Sequence, residues 1–211
     1  MKTNILESDN INTDKSEEEN DNVYLKLEQA ENLYKQQSLL SAKEIYNTLL
    51  ENNDLSLKIK IHCLNRITQI LLKENNYYIA SNYINEIEKL QSNNYDYLWN
   101  KTIILKQNQQ YEEALECISL LINHIENKNY ISTISINYID CLIQKANILL
   151  LDKKYADALK TYTLVLSKNK NTAAAYYGIG ICYEKANLPN KAKKMYETAI
   201  KYEPKYRDIN I

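Results

Sequence analysis

The sequence predicts an all-α protein, an α-α superhelix in which antiparallel helix hairpins stack into a right-handed solenoid. Three observations support this prediction. The 211 residues include only two glycines and two prolines, the residue types on which strand-and-turn folds depend. A short pattern of small and apolar residues recurs along the chain at a nearly constant interval. Short polar stretches separate the two helical segments within each copy of the pattern.

The recurring pattern is an alanine, an aromatic or aliphatic residue four positions later, and a small or aliphatic residue three positions beyond that. This spacing places all three residues on one face of a helix. The alanines are 38, 34, 44 and 34 residues apart, which is typical of a repeat protein. The five copies are Ala42/Tyr46/Leu49, Ala80/Ile84/Ile87, Ala114/Ile118/Leu121, Ala158/Tyr162/Val165 and Ala192/Tyr196/Ala199.

Each of these helices follows another helical segment, with apolar residues at positions i, i+3, i+4 and i+7. Leu64, Ile67 and Leu71 are an example. Because the connections are short, the two helices of each pair should run antiparallel. The polar connections are residues 36–38, 74–76, 108–110, 152–154 and 187–189.

The last copy, AAAYYGIGICYEKANLPNKAKKMYETAIKYEP, resembles the tetratricopeptide repeat. Small residues at Gly180 and Ala192 stand where the two helices of that repeat cross closely. The close-approach position is also small in the four earlier copies. The resemblance covers residues 23–205 and is strongest in the fourth and fifth copies. Its other positions in the last copy are Tyr176, Ile179, Tyr183, Tyr196, Ala199 and Pro204.

These observations divide the chain into three parts. Residues 1–22 are acidic, have few apolar side chains and show no period, so we expect a disordered N-terminal arm. Residues 23–205 form the repeat domain, and residues 206–211 form a short C-terminal tail. The insertion NYISTISINY at 129–138 is expected to lengthen the first helix of the fourth repeat.

Charge and hydropathy exclude several classes of protein. Residues 1–22 hold two lysines and seven acidic residues, a net charge of −5, which leaves +4 for residues 23–211. Such a mild excess makes nucleic acid an unlikely partner. The chain shows no secretory signal and no apolar run long enough to insert into a membrane. We therefore expect a cytoplasmic protein.

No catalytic, metal-binding or cofactor-binding motif is present in the sequence, so we predict no enzyme activity, metal or cofactor. His62 and His124 are too far apart for a zinc motif. The spacing Gly178-Ile179-Gly180 lacks the third glycine of a dinucleotide fingerprint. The four cysteines form no C-x-x-C pair, which indicates reduced thiols in the core. These cysteines are Cys63, Cys117, Cys141 and Cys182.

The resemblance implies a non-enzymatic protein that binds a peptide segment or a subunit, either as an adaptor or as a fixed scaffold subunit of a larger assembly. In such repeats the first helix of each hairpin lines the inner groove. The resemblance places His62, Asp96, Gln107 and Glu184 along this groove. The residues that it predicts to contact the partner are Asn65, Gln69, Lys73, Trp99, Lys106, Asn147 and Tyr177.

Several alternatives stay open. The single tryptophan, Trp99, either faces the groove or packs against the neighbouring repeat. The positions of the family's two-carboxylate clamp lack its lysines, which disfavours an adaptor for chaperone tails. Helical repeats also bind RNA, for which the tyrosines could stack on bases. The last hairpin has no following helix in this sequence, so we expect its apolar face, including Ile200, to dock another subunit or a second copy.

Overall fold

The structure is a computed structural model that describes residues 6–90, 95–127 and 136–207, with side chains from residue 21 onward. These ranges contain α-helices and one 3₁₀ helix, Pro204–Arg207, and no β-strand, which confirms the predicted all-α fold. The helices are α1 Leu6–Lys35, α2 Leu39–Leu50, α3 Leu57–Lys73, α4 Tyr77–Lys89, α5 Asp96–Gln107, α6 Tyr111–Glu126, α7 Tyr138–Leu151, α8 Tyr155–Lys168, α9 Ala173–Lys185 and α10 Pro189–Tyr202.

The chain divides into two compact units, Met1–Ser92 and Asn93–Ile211. In the first unit, α1 pairs with α2 and α3 pairs with α4, while α2 also contacts α3. In the second unit the pairs are α5 with α6, α7 with α8 and α9 with α10, with further contacts between α6 and α7 and between α8 and α9. Each unit is therefore a stack of the predicted hairpins, and every hairpin turn lies at a predicted polar loop.

The hairpin turns share one backbone conformation. In each turn a residue other than glycine adopts the left-handed region, with φ between 56° and 63°. The two residues that end the turn donate backbone hydrogen bonds to the last turn of the first helix, as in Lys153 N to Leu150 O and Lys154 N to Leu149 O. The left-handed residues are Gln37, Asn75, Gln109, Lys153 and Asn187.

The recurring pattern forms the core of both units. All fifteen of its residues are buried, with the alanines of the first four copies at 0% exposure and Tyr46 and Tyr162 at 0% and 1%. Because alanine carries only a methyl group, the two helices of a hairpin approach closely there, and the larger side chains one turn away fill the space beside the crossing. The predicted core is confirmed.

The two glycines of the chain make room for the rings of two core tyrosines. A Cβ atom at Gly178 of α9 would overlap the ring of Tyr162 from α8. A Cβ atom at Gly180 would overlap the ring of Tyr196 from α10 in the same way. Gly180 therefore has the role that the repeat predicts, and Gly178 has an equivalent role between successive hairpins that the sequence analysis did not assign.

The ends of two helices differ from the predictions. α1 begins at Leu6, so the structure includes residues 6–22 in a helix, where the composition predicts disorder. Extending an existing helix fixes only one residue for each hydrogen bond gained, and glutamate is a good helix former. For these reasons α1 continues toward the N terminus beyond the residues that pack against α2. α7 begins at Tyr138 with the Asn137 side chain capping it, so residues 136–137 of the insertion do not lengthen that helix. Residues 129–135 of the insertion lie outside the described residues.

The left-handed turn residue offers a test of the hairpin geometry. We expect Lys153→Gly to raise the free energy of unfolding by up to about 1 kcal/mol, because glycine adopts positive φ without the steric cost of a Cβ atom. The same replacement at the exposed helical position Lys160 should lower it by about 1 kcal/mol. Chemical denaturation followed by circular dichroism measures both. Equal effects at the two positions would contradict the assigned turn.

The contact between Gly178 and Tyr162 offers a second test. Gly178→Ala should lower the free energy of unfolding by about 1–3 kcal/mol, because the added methyl group overlaps a ring held in the core. In a Tyr162→Leu background the same change should cost far less, since the overlapping ring atoms are gone. A double-mutant cycle measured by urea denaturation compares the two costs. If they are equal, the ring does not determine the need for glycine.

Candidate partner-binding surfaces

In three of the hairpins, a core tyrosine from the second helix reaches a polar side chain on the first helix. Tyr46 donates to Glu31 at 2.6 Å, and Tyr162 donates to Asn147 at 2.5 Å. Tyr196 donates to Glu184 of α9 at 2.7 Å. Each buried ring thus places its hydroxyl against a polar side chain of the first helix. These bonds fix the orientation of the acceptor side chains on that surface.

The sequence contains a signal for two of these bonds. Glu31 and Asn147 each come one position after the close-approach alanine of their repeat, and a tyrosine follows fifteen residues later. In the third repeat, Ile103 occupies that position and Ile118 replaces the tyrosine. The pairing is limited to the first and fourth repeats, because Gln69 precedes Ile84 in the second and Ile181 precedes Tyr196 in the fifth. The sequence analysis did not use this pairing.

In the first unit, the Glu31 carboxylate of α1 is the centre of a polar cluster. Arg66 of α3 donates to it from Nε and Nη2, both at 2.7 Å, and His62 Nε2 lies 2.8 Å from Oε1. Tyr46 supplies a further donor. Burial by itself would raise the pKa of Glu31, but the hydrogen bonds from His62, Arg66 and Tyr46 outweigh it and lower that pKa to about 2.

The same cluster extends to two of the predicted contact residues. The Oε1 atom of Gln69 accepts from Tyr34 at 3.1 Å and from Arg66 Nη1 at 3.0 Å. The exposed Lys73 places its ammonium 4.6 Å from the centre of the Tyr34 ring. Arg66 is therefore held by groups of its own chain, and Lys73 is an exposed cation of this surface.

Asn65 does not lie on this surface. Its side chain is 1% exposed and lies in the core of the first unit, because α3 packs against both α2 and α4 and buries most of its circumference. The predicted groove residue Asp96 is likewise 0% exposed. Apolar neighbours alone do not distinguish a helix with one buried face from a helix with two. The sequence analysis therefore placed these two polar residues on the surface.

In the second unit, four predicted residues lie half-buried on the first helices of the hairpins. Trp99 and Lys106 are on α5, Asn147 is on α7, and Tyr177 is on α9. Lys106 donates to Gln144 of α7 at 3.1 Å, and burial lowers the pKa of its ammonium. Trp99 packs against the apolar core of this unit while staying partly exposed. Trp99 therefore combines the two alternatives, because one part of its side chain packs against the core and another part is exposed.

Tyr177 lies within a group of aromatic rings. Its ring centre is 5.3 Å from that of Tyr196 and 5.0 Å from that of Tyr206, which belongs to the 3₁₀ helix Pro204–Arg207. The predicted tail 206–211 therefore begins inside a short ordered turn that contacts α10. This turn covers part of the Tyr177 ring.

An apolar cavity of about 400 Å³ lies along α10. The expected apolar face of the last hairpin is thus present, and it includes the half-buried Ile200. The equivalent face of α8 is packed against α9. The residues lining the cavity are Glu184, Pro189, Ala192, Lys193, Tyr196, Glu197 and Ile200.

The cysteines lie where the apolar pattern predicts. Cys63, Cys141 and Cys182 are buried free thiols, and Cys117 is half-buried. Burial raises the pKa of the Cys63 and Cys141 thiols to about 12, which keeps both protonated. No helix among the described residues has the length and apolar character that crossing a bilayer requires.

Comparison with known sequences identifies the class of repeat. Residues 149–210 match a family model described as tetratricopeptide repeat. The chain is also 41% identical over 63 residues to a probable UDP-N-acetylglucosamine–peptide N-acetylglucosaminyltransferase, SPINDLY, of Hordeum vulgare. This match covers 30% of the chain and only 7% of the length of that relative.

Solved structures with the same fold extend the similarity over most of the chain. YrrB, described as a tetratricopeptide-repeat protein with an unusual peptide-binding site, superposes with a TM-score of 0.65 at 19% identity and covers 91% of this chain and 92% of its own. A fragment of MamA from Desulfovibrio magneticus gives a TM-score of 0.69 at 11% identity, over 87% of this chain and 96% of its own. These likenesses confirm the predicted helical-solenoid fold, and the match over residues 149–210 confirms tetratricopeptide-repeat sequence in that part of the chain.

The Glu31 cluster predicts how stability depends on pH. Because the folded-state pKa of Glu31 is about 2 and its ordinary value is 4.5, the ionised carboxylate stabilises the fold above pH 4.5 and loses this effect as the pH falls toward 2. Glu31→Gln should therefore lower the free energy of unfolding by about 3 kcal/mol at pH 7. The difference from wild type should shrink between pH 4.5 and 2.

Equilibrium denaturation at a series of pH values measures this difference. Glu28→Gln is the matched control, because Glu28 is exposed on the same helix and removing it changes the net charge equally. A cost at Glu31 that stays constant down to pH 2 would show that the cluster does not hold the carboxylate ionised.

Proposed function

We propose that this chain is a non-enzymatic protein-interaction scaffold or adaptor whose second unit binds a segment of a partner protein. The observation that supports this proposal is the surface of α5, α7 and α9, where Trp99, Lys106, Asn147 and Tyr177 are half-buried. Partly buried aromatic rings beside amides and a cation combine apolar contact area with hydrogen-bonding groups. Protein interfaces concentrate their binding energy on such side chains.

The hydrogen bonds of the core tyrosines favour binding by a preformed surface. Because Tyr162 holds Asn147, and Tyr196 packs on Tyr177, these groups are oriented before a partner arrives. A surface that is already ordered loses less conformational entropy on binding. The fold also supports this proposal, since the tetratricopeptide structure YrrB is described as having a peptide-binding site.

The apolar cavity along α10 is a second surface at which the scaffold would join a larger complex. The equivalent face of α8 is covered by a helix, so a helix is the element that fits α10. A second copy of the chain is one such partner, because Lys193 and Glu197 lie one turn apart and could pair with the same residues of a copy running antiparallel. Buried free thiols are in keeping with a reducing compartment such as the cytoplasm.

RNA binding is the alternative function. A reader of RNA needs exposed rings beside a basic track. Here Tyr46, Tyr162 and Tyr196 are buried at 0%, 1% and 7% exposure, and their hydroxyls are bonded within the protein. These three tyrosines stabilise the hairpins and offer no face on which a base could stack. The exposed rings Tyr24, Tyr78 and Tyr202 lie on α1, α4 and α10, which are not consecutive helices. This distribution favours a protein partner.

Affinity capture with the full chain tests the proposal. We expect Trp99→Ala to reduce retention of the main partner from native lysate at least tenfold, because truncating an interface tryptophan costs about 2 kcal/mol or more. Ile200→Arg, which places a charge in the α10 cavity, should leave that partner bound. Circular dichroism establishes that both variants are folded.

If Ile200→Arg alone loses the partner, the interface lies along α10. That result would contradict binding at the surface of α5, α7 and α9. Retention of RNA that falls steeply with added salt, without a protein partner, would contradict the scaffold and favour the alternative.

A further inference from the structure

The side of α10 that lines the apolar cavity closely resembles one side of α2. Alanine, lysine and tyrosine occupy the same three places on both helices. Two further places hold apolar residues, and the last holds an exposed polar residue. The helices α4, α6 and α8 have serine or leucine in place of this lysine. The six matched positions are Leu39/Pro189, Ala42/Ala192, Lys43/Lys193, Tyr46/Tyr196, Asn47/Glu197 and Leu50/Ile200.

On α2 this side is covered by α3. The two helices pack against each other, and the Lys43 ammonium donates to both carboxylate oxygens of Glu74 at 2.9 Å. Glu74 directly follows the last residue of α3, and Lys43 lies near the beginning of α2, so the two helices run antiparallel. The α2–α3 contact therefore shows what kind of helix fits a surface of this composition.

The position of Glu74 identifies the face of α3 that meets α2. Cys63, Ile67 and Ile70 precede Glu74 at spacings of four, three and four residues, which places all four on one side of the helix. The three apolar residues are each 0% exposed. The side of α2 with Lys43 thus packs against three apolar side chains that are followed, one turn later, by a carboxylate.

The corresponding side of α10 is open. Among the described residues, the elements that pack against α10 are α9 and the 3₁₀ helix Pro204–Arg207. Lys193, the counterpart of Lys43, is exposed, and the apolar cavity of about 400 Å³ lies beside it. This surface therefore has the apolar floor and the cation of the α2 surface, without the helix that covers them there.

The first helix of a second copy does not have the required face. When α1 is aligned with α3 through Ala30 and Thr68, amides replace both isoleucines and the glutamate of α3. All four residues of α1 at these positions are exposed, and burying their amides against an apolar surface would cost free energy. The four residues are Leu25, Gln29, Asn32 and Gln36.

We propose that α10 docks a helix of another protein, with apolar residues at positions i, i+4 and i+7 and an aspartate or glutamate at i+11. The apolar side chains fill the cavity beside Ala192 and Tyr196, and the carboxylate pairs with Lys193 as Glu74 pairs with Lys43. This inference rests on the proposed function, because it gives the chemistry of the partner at the second surface of the scaffold.

Two labelled synthetic peptides test the proposal with the full chain. Each is a helix former of about twenty residues, rich in alanine and glutamine, with isoleucine at i, i+4 and i+7. One has glutamate at i+11 and the other has lysine there. Fluorescence anisotropy measures their affinities. We expect the glutamate peptide to bind about tenfold more tightly, because an attraction to Lys193 becomes a repulsion in the lysine peptide.

Variants of α10 then locate the contact. Lys193→Glu should reverse the preference, so that the lysine peptide binds more tightly than the glutamate peptide. Ile200→Arg should weaken both peptides at least tenfold, since it places a charge in the apolar contact. Lys194→Glu is the control, because Lys194 is exposed, does not line the cavity and changes the net charge equally. Circular dichroism establishes that the variants are folded.

Two results would overturn the inference. If both peptides bind equally well, or if Lys193→Glu does not reverse the preference, Lys193 does not select a carboxylate. If neither peptide binds at millimolar concentration, α10 does not dock a helix of this chemistry. A concentration-dependent dimer in sedimentation that Ile200→Arg dissociates would then assign the surface to a second copy. Neither result bears on Trp99→Ala, which tests the surface of α5, α7 and α9 separately.

Discussion

The close crossing of paired helices at small residues is the constraint on which the rest of this structure depends. Ala42, Ala80, Ala114 and Ala158 are completely buried at these crossings. Because the helices approach closely there, the larger side chains one turn away are driven into the space between them. The burial of the core tyrosines, and with it the position of their hydroxyls, follows from this spacing.

The buried tyrosines connect the core to the surface. A tyrosine ring supplies a large apolar area, but its hydroxyl has to find an acceptor when the ring is buried. In this chain the acceptors are Glu31, Asn147 and Glu184 on the first helices. Stability and the arrangement of the candidate binding surface therefore share the same hydrogen bonds, and a change in the core residue Tyr162 would alter the orientation of Asn147.

Much of the fold could be predicted because it follows from local periodicity. The alanine pattern, the polar loops and the scarcity of glycine identified five hairpins, and all fifteen core positions of the pattern are buried. The candidate site was harder to predict from the sequence. Lys106, Asn147 and Tyr177 lie on the surface of the second unit, whereas Asn65 is buried because α3 packs on both sides. Which sides of a helix are covered depends on its neighbours and not on its own sequence.

The sequence by itself determined the helices, their pairing and the small residues at each crossing, because all three depend on spacings within about forty residues. Only the tertiary structure showed that Glu31 gathers Arg66, His62 and Tyr46 around one carboxylate, and that Lys106 has a neutral partner in Gln144. These contacts join side chains from different helices, whose distances depend on how the hairpins stack. The same stacking makes glycine necessary at position 178, since the ring of Tyr162 from the preceding hairpin occupies the space of a side chain there.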